Sequence, residues 1–262
     1  MHVDSFSVPV ATRAPTGQTN AYLVSGPGPD GDTERLLVDP AGRTDTLDTA
    51  VREKGVDHVA VTHTHPDHVG AVAEYAAETD ATVWARSGRE ARFADATGLE
   101  PDRTFAEGNR VGPATALDTQ GHAPDHVAFE ISIGTLSGDV AVAEGSVVVG
   151  APEGDVRAYL TALRRLHARN PRVLYPGHGP VTEDPRATCE RLVAHRNDRE
   201  ERVLAAVERG AADVDAVLEA AYGKDLSGVK DLARATVRAH LEKLSRAGRV
   251  QYDPTTGRVG TA

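Results

Sequence analysis

The chain is poor in several residue types, and each shortage excludes something. One cysteine, Cys189, rules out an internal disulfide and any thiolate cluster for a structural metal. One methionine, one tryptophan and an aromatic share of only 4% leave few bulky side chains for a core or for stacking on bases. No run of eighteen or more apolar residues occurs, so no membrane span is expected. Met1 to Arg13 lacks a basic start followed by an apolar stretch, so no signal peptide is read and the cytoplasm is the expected compartment. Lysine is nearly absent as well: four residues (54, 224, 230 and 243) among 29 bases, the rest being arginine. What remains is an ordinary globular balance of 40% hydrophobic and 26% charged residues over 262 positions.

The formal charge of −10 is unevenly placed. Residues 1–189 hold 16 bases against 27 acids, and residues 190–262 hold 13 against 12. Many acids, few lysines and small apolar residues resemble proteins adapted to high salt, and a GC-rich genome produces the same bias. An acidic surface disfavours indiscriminate polyanion binding, which basic side chains drive by displacing counterions.

Short apolar runs alternate with turns and helical patterns over the first two-thirds, which predicts an α/β domain with antiparallel hairpins mixed among βα units. Strands are read at 20–24, 36–39, 58–62, 81–85, 140–149 and 173–175, and helices at 44–54, 70–78 and 154–170. Near Pro185 the pattern turns helical: 189–209, 214–221 and 229–247, followed by two short strands around a turn at 248–259. Two domains are expected, a catalytic one over 1–188 and a small winged-helix-like one over 189–262.

The informative segment is Thr62, His63, Thr64, His65, Pro66, Asp67 and His68, delivered by an apolar strand. Three imidazoles and a carboxylate within six residues can serve one ion through the His-x-His pair and a second through Asp-His. Nitrogen and carboxylate donors suit zinc, and also manganese or iron. A chance cluster on a solvated loop is the competing reading, and eleven histidines in 262 residues make it improbable.

His-x-His-x-Asp-His at a strand end resembles the signature of the metallo-β-lactamase superfamily. The later motifs of that family have counterparts in order: His122 within Thr119 to His126, Asp139 after Ser137 and Gly138, and His178 within Tyr175 to Gly179. The resemblance implies an αβ/βα sandwich holding two metals, most simply zinc. His63, His65 and His122 would bind one, and Asp67, His68 and His178 the other. Asp139 would be shared, and a bridging hydroxide would attack the substrate. It also suggests that Asp67 orients that nucleophile. His126 is expected to support the site rather than bind metal, and His195 to pack or hydrogen-bond.

Downstream, Glu144 to Ser146, the helix from Asp155, and His195-Arg196 with Arg199-Glu200 resemble the β-lactamase-like protein 2 group, whose members end in a winged helix. That group implies three readings. The first is a phosphodiesterase, an endoribonuclease on single-stranded RNA, for which Lys230, Arg234 and Arg238, at i, i+4 spacing on a helix that also carries Lys243 and Arg246, offer one basic face. Tyr222 and Tyr252 are the only aromatic platforms in the tail. The second is a thioesterase of the glyoxalase II type acting on a small thioester. The third makes the tail a protein-interaction module. β-Lactam hydrolysis ranks last.

Overall fold

The computed structural model describes residues 1–223 and 226–262. Strand β1 (His2–Pro9) opens a six-stranded sheet with β2 (Gln18–Pro27) and β3 (Thr33–Val38). Helix α1 (Asp45–Lys54) leads to β4 (His58–Ala60). Helices α2 (Pro66–Val69) and α3 (Val72–Thr79) lead to β5 (Thr82–Arg86), and α4 (Glu90–Thr97) to β6 (Arg103–Phe105). The strands lie in chain order, antiparallel from β1 to β3 and parallel from β3 to β6. The second sheet contains β7 (Arg110–Val111), β8 (Ala114–Asp118), β9 (Val127–Ile131) and β10 (Gly134–Gly138). Helix α5 (Val156–Arg169) then crosses to β11 (Leu174–Pro176), which lies parallel to β10. The spatial order is β11-β10-β9-β8-β7.

Period-two burial explains the layering. Tyr22 and Val24 of β2, with Leu36 and Val38 of β3, face inward against Phe129 and Leu136 of the second sheet. Ala21, Leu23 and Leu37 point the other way, under Leu47, Val51, Tyr75 and Phe93 of the first sheet's helices. On the far side Tyr159, Leu160, Leu163 and Leu166 of α5 cover the second sheet. The result is an α/β sandwich with helices outside two sheets, as the sequence predicts.

The tail comprises α6 (Pro185–Glu208), α7 (Val214–Ala221), α8 (Lys230–Arg246) and a hairpin of β12 (Val250–Tyr252) and β13 (Val259–Thr261). Its core runs from Val203 through Leu218 and Val237 to Val259. The boundary read between 188 and 189 falls inside α6. That helix begins earlier because Asp184 caps it, accepting from Ala187 N–H, and Pro185 takes its first turn. Cys189 and Leu192 of α6 and Ala239 of α8 join the α5 core, so the tail is built onto the sandwich.

One expected strand is absent. Residues 140–149 form no regular element; their carbonyls are taken by side chains of α6 instead of a neighbouring strand. Among the described residues, no helix is long and apolar enough to cross a membrane.

Candidate metal centre

All seven predicted ligands converge at one edge of the sandwich, each delivered from the end of a strand. Strand β4 releases the loop carrying His63 and His65. Pro66 then starts α2, which sets Asp67 in its first turn and His68 one residue on. His122 follows β8, Asp139 follows β10 and His178 follows β11. Three sets of donors lie within 4.8 Å of one another: His63, His65 and His122; Asp67, His68 and His178; and His63, His68 and Asp139. His65 Nδ1 is 3.0 Å from both His63 Nε2 and His122 Nε2. Asp139 stands between the two halves, with Oδ2 3.5 Å from His122 Nε2 and 3.4 Å from His178 Nε2. Its Oδ1 is 3.8 Å from His68 Nε2.

The outward nitrogens show that this arrangement fits metal ions. Each of the five rings has one nitrogen engaged outside the cluster and the other aimed into it. His63 Nδ1 meets Thr62 Oγ1 at 3.1 Å, and His68 Nδ1 meets Asp39 Oδ2 at 3.0 Å. His122 Nδ1 meets the Val148 carbonyl at 2.7 Å, and His178 Nδ1 the Gln18 carbonyl at 2.8 Å. His65 is turned round, with Nε2 3.1 Å from Glu153 Oε2. Such partners fix the tautomer that leaves the inner lone pair free for a cation. At the centre His68 Nε2 and Asp139 Oδ1 are buried without a hydrogen-bond partner, a costly state that metal coordination would relieve.

The electrostatics point the same way. Burial and the neighbouring imidazoles hold His63 well below its ordinary pKa. Burial also takes His122 down to about 4, against the pull of Asp139. Both shifts favour the neutral ring that a metal ligand must present. Burial opposes charge on His68 too, but Asp39, Asp139 and Asp67 together push it up to about 9. Burial would raise the Asp139 carboxyl, yet His178, His68 and His122 take it well below the carboxylate range. The half of the cluster around His68 thus carries the negative charge that a cation would offset.

His126 takes the supporting role expected of it. Its Nδ1 meets Thr119 Oγ1 at 2.8 Å, and its Nε2 accepts the Asp139 backbone N–H at 2.9 Å. Three contributors were not identified from the sequence. Asp39 is 1% exposed and accepts from Thr62 N–H, from Thr62 Oγ1 and from His68. Its φ of 52° is a left-handed backbone that a non-glycine residue adopts at a cost. Asp125 accepts from Thr64 N–H and Oγ1 and from Arg92. Glu153 ties His65 to Arg92. Asp39 had a signal, an acid followed by proline at the end of an apolar strand, and Asp125 lay within a recognised motif. Glu153 had none.

Gly177 is required by space. A Cβ there would lie 2.5 Å from Asp139 Oδ1 and 2.7 Å from His68 Cε1. Gly177→Ala is expected to lower metal affinity and turnover by about ten- to a hundredfold, the range for displaced ligand supports. Metal analysis of the purified variant checks this, and full occupancy at wild-type rate would contradict it.

Above the cluster opens a cleft of about 1020 Å³. Its walls are the loop 11–16, the segment 142–153 and Leu232 and Ala235 of α8. The metallo-beta-lactamase superfamily profile matches residues 14–178. The chain belongs to the metallo-β-lactamase superfamily. It is 30% identical to a β-lactamase-like protein 2 homolog of Drosophila melanogaster, covering 89% of this chain and 84% of that one. It is 27% identical to an atrochrysone carboxyl ACP thioesterase of Emericella nidulans, covering 91% and 78%. A metallo-β-lactamase family protein of Thermus thermophilus superposes with a TM-score of 0.77 at 25% identity, over 99% of this chain and 98% of that one. As a metallo-β-lactamase-fold protein with such relatives, the chain is a metal-dependent hydrolase.

Proposed function

We propose that the chain hydrolyses thioesters of apolar acyl groups, using two zinc ions. One ion is assigned to His63, His65 and His122, the other to Asp67, His68 and His178, with Asp139 between them. Imidazole supplies five of the seven assigned ligands, which favours zinc over manganese or iron. When bound, the ions supply Lewis acidity, acidifying a water and polarising the scissile carbonyl. The protein's own contribution is orientation. Asp67 is the more exposed of the two central carboxylates and lines the cleft, held there by the Thr12 hydroxyl. It is placed to hold the attacking water by a hydrogen bond and accept its proton.

The observation that carries the substrate class is the cleft wall. Ala11, Ala14, Val142, Val147, Val148 and Leu232 give it an aliphatic lining next to the donors. Such a surface gains by covering an acyl chain. The thioesterase named among the relatives supports the same reading.

The RNA reading finds less support. Among the described residues lining the cleft, none is Phe, Tyr or Trp, and Arg13 is the only lysine or arginine. Arg13 already donates to Asp231 and to the Gly228 carbonyl. On α8, Arg234 pairs with Asp215, Lys243 with Glu200 and Arg246 with Asp155. Tyr222 lies under the Arg199 guanidinium, and Tyr252 packs on the tail core. In this proposal the tail, whatever its kinship with winged helices, serves as a wall of the cleft.

The test uses zinc-loaded protein with N-acetylcysteamine thioesters from acetyl to decanoyl, beside S-lactoylglutathione and end-labelled single-stranded RNA. Each buried methylene is worth about 0.8 kcal/mol, so kcat/KM should rise about fourfold per methylene over the first few. Turnover confined to the glutathione thioester would return the protein to the glyoxalase II type. RNA cleavage without thioester turnover would overturn the proposal.

A further inference from the structure

Residues 142 and 144–148 line the cleft from a segment without regular secondary structure, and α6 holds it. Arg191 Nη2 donates to the Val142 and Ala143 carbonyls at 2.7 and 2.9 Å, and its Nη1 to the Gly145 carbonyl at 2.6 Å. One turn on, His195 Nε2 lies 3.1 Å from Ser146 Oγ. Arg196 Nη2 donates to the Val147 carbonyl. The next carbonyl in the chain, that of Val148, is the one that engages His122 Nδ1 at 2.7 Å. Residues i, i+4 and i+5 of one helix face thus fix consecutive points of a loop that ends on a ligand histidine.

Arg196 strengthens the case. It is only 2% exposed, and its guanidinium lies over the Tyr159 ring at 5.2 Å. A buried cation is expensive unless its partners satisfy it, and a hydrophobic residue would fill the same volume more simply. Its carbonyl partner sits immediately before Val148. Three fixed carbonyls from Arg191 and one from Arg196 give the loop the rigidity that a strand partner would otherwise supply.

We propose that Arg191 and Arg196 are positioning residues for the metal site. They lock the 142–148 loop so that the Val148 carbonyl selects the His122 tautomer with Nε2 facing the ion, and so that Val142, Val147 and Val148 form the acyl wall. The inference rests on the reading of His122 as a ligand. It gives the His195-Arg196 motif of α6 a task at the active site, and it couples the tail's first helix to catalysis without any contact with substrate.

The test is Arg191→Ala, in which an exposed side chain is removed and no core volume is lost. Arg196→Lys is the second variant, keeping the charge without the planar fork. Cobalt replaces zinc so that the d–d absorption reports ligand geometry, and zinc affinity is measured by competition with a chromophoric chelator. Arg191→Ala should stay folded by circular dichroism. Its cobalt spectrum should change, its zinc affinity fall about tenfold, and KM for the longer acyl thioesters rise more than kcat falls. Arg196→Lys, which keeps the buried charge but loses the planar guanidinium over Tyr159, should show each effect to a smaller degree. A variant with a lowered melting temperature but an unchanged cobalt spectrum and zinc affinity would overturn the inference, reducing these arginines to structural contacts. A wild-type protein without histidine-type cobalt absorption would instead overturn the underlying metal assignment, so the two failures are distinguishable.

Discussion

Replacing Asp139 by alanine should lower thioester turnover by about a thousandfold with the sandwich still folded. The carboxylate faces His122, His178 and His68 at once. Without it neither ion has its shared anionic donor, and Lewis-acid stabilisation worth several kcal/mol is lost; about 4 kcal/mol is a factor of roughly a thousand. Its main-chain N–H, which His126 accepts, is untouched by the change, so the local backbone keeps its anchor. Asp67→Ala should reduce kcat to a similar extent but leave more of the bound metal in place, because His68 and His178 remain. Steady-state kinetics combined with metal analysis checks both variants. Near wild-type turnover in either one would contradict the two-ion site.

The second large effect is expected at Asp39, which touches neither cleft nor substrate. Asp39→Ala strands the Thr62 N–H, the Thr62 hydroxyl and His68 Nδ1, all held at 2.6 to 3.0 Å. Removing one partner from a buried charged set costs about 3–5 kcal/mol, on the order of 10 °C in melting temperature for a protein of this size. His68 loses the bond that sets its tautomer, so metal affinity should fall about ten- to a hundredfold as well. Asp39→Asn tolerates the left-handed backbone and keeps an acceptor for Thr62 N–H. It should therefore recover more stability than metal affinity. Thermal melts and zinc titrations of both variants check this, and recovery in equal measure would mean that Asp39 serves the fold alone.

These two residues also show where sequence reasoning reaches and where it stops. His63, His65, Asp67 and His68 announce themselves because four donors crowd into six residues at a strand end, whereas Asp139, like His122 and His178, is legible only through the resemblance to a family's later motifs. Asp39 belongs to the same site through contacts 23 and 29 positions away, and the Asp-Pro pair at its strand end does not reveal those partners. Glu153 reaches His65 across 88 positions and is equally silent. Strands β3, β4 and β5 are legible because they are apolar and bounded by turns. The valine-rich 140–149 reads as a strand for the same reason. It is not one: Arg191 and Arg196 hold the Val142, Ala143, Gly145 and Val147 carbonyls that a neighbouring strand would otherwise engage. The start of α6 was legible in principle, since Asp184 and Pro185 form a cap and first turn. A composition shift near the same point drew the boundary four residues later.

The claim on which the rest depends is that two metal ions at the His/Asp cluster drive hydrolysis. The most direct measurement titrates metal-free protein with zinc, counting bound ions by native mass spectrometry while following octanoyl thioester turnover in the same samples. The account predicts two equivalents per chain, turnover appearing as they bind, and loss of both in Asp139→Ala. Full turnover by the metal-free protein in the presence of chelator, or a chain that binds no zinc, would contradict it.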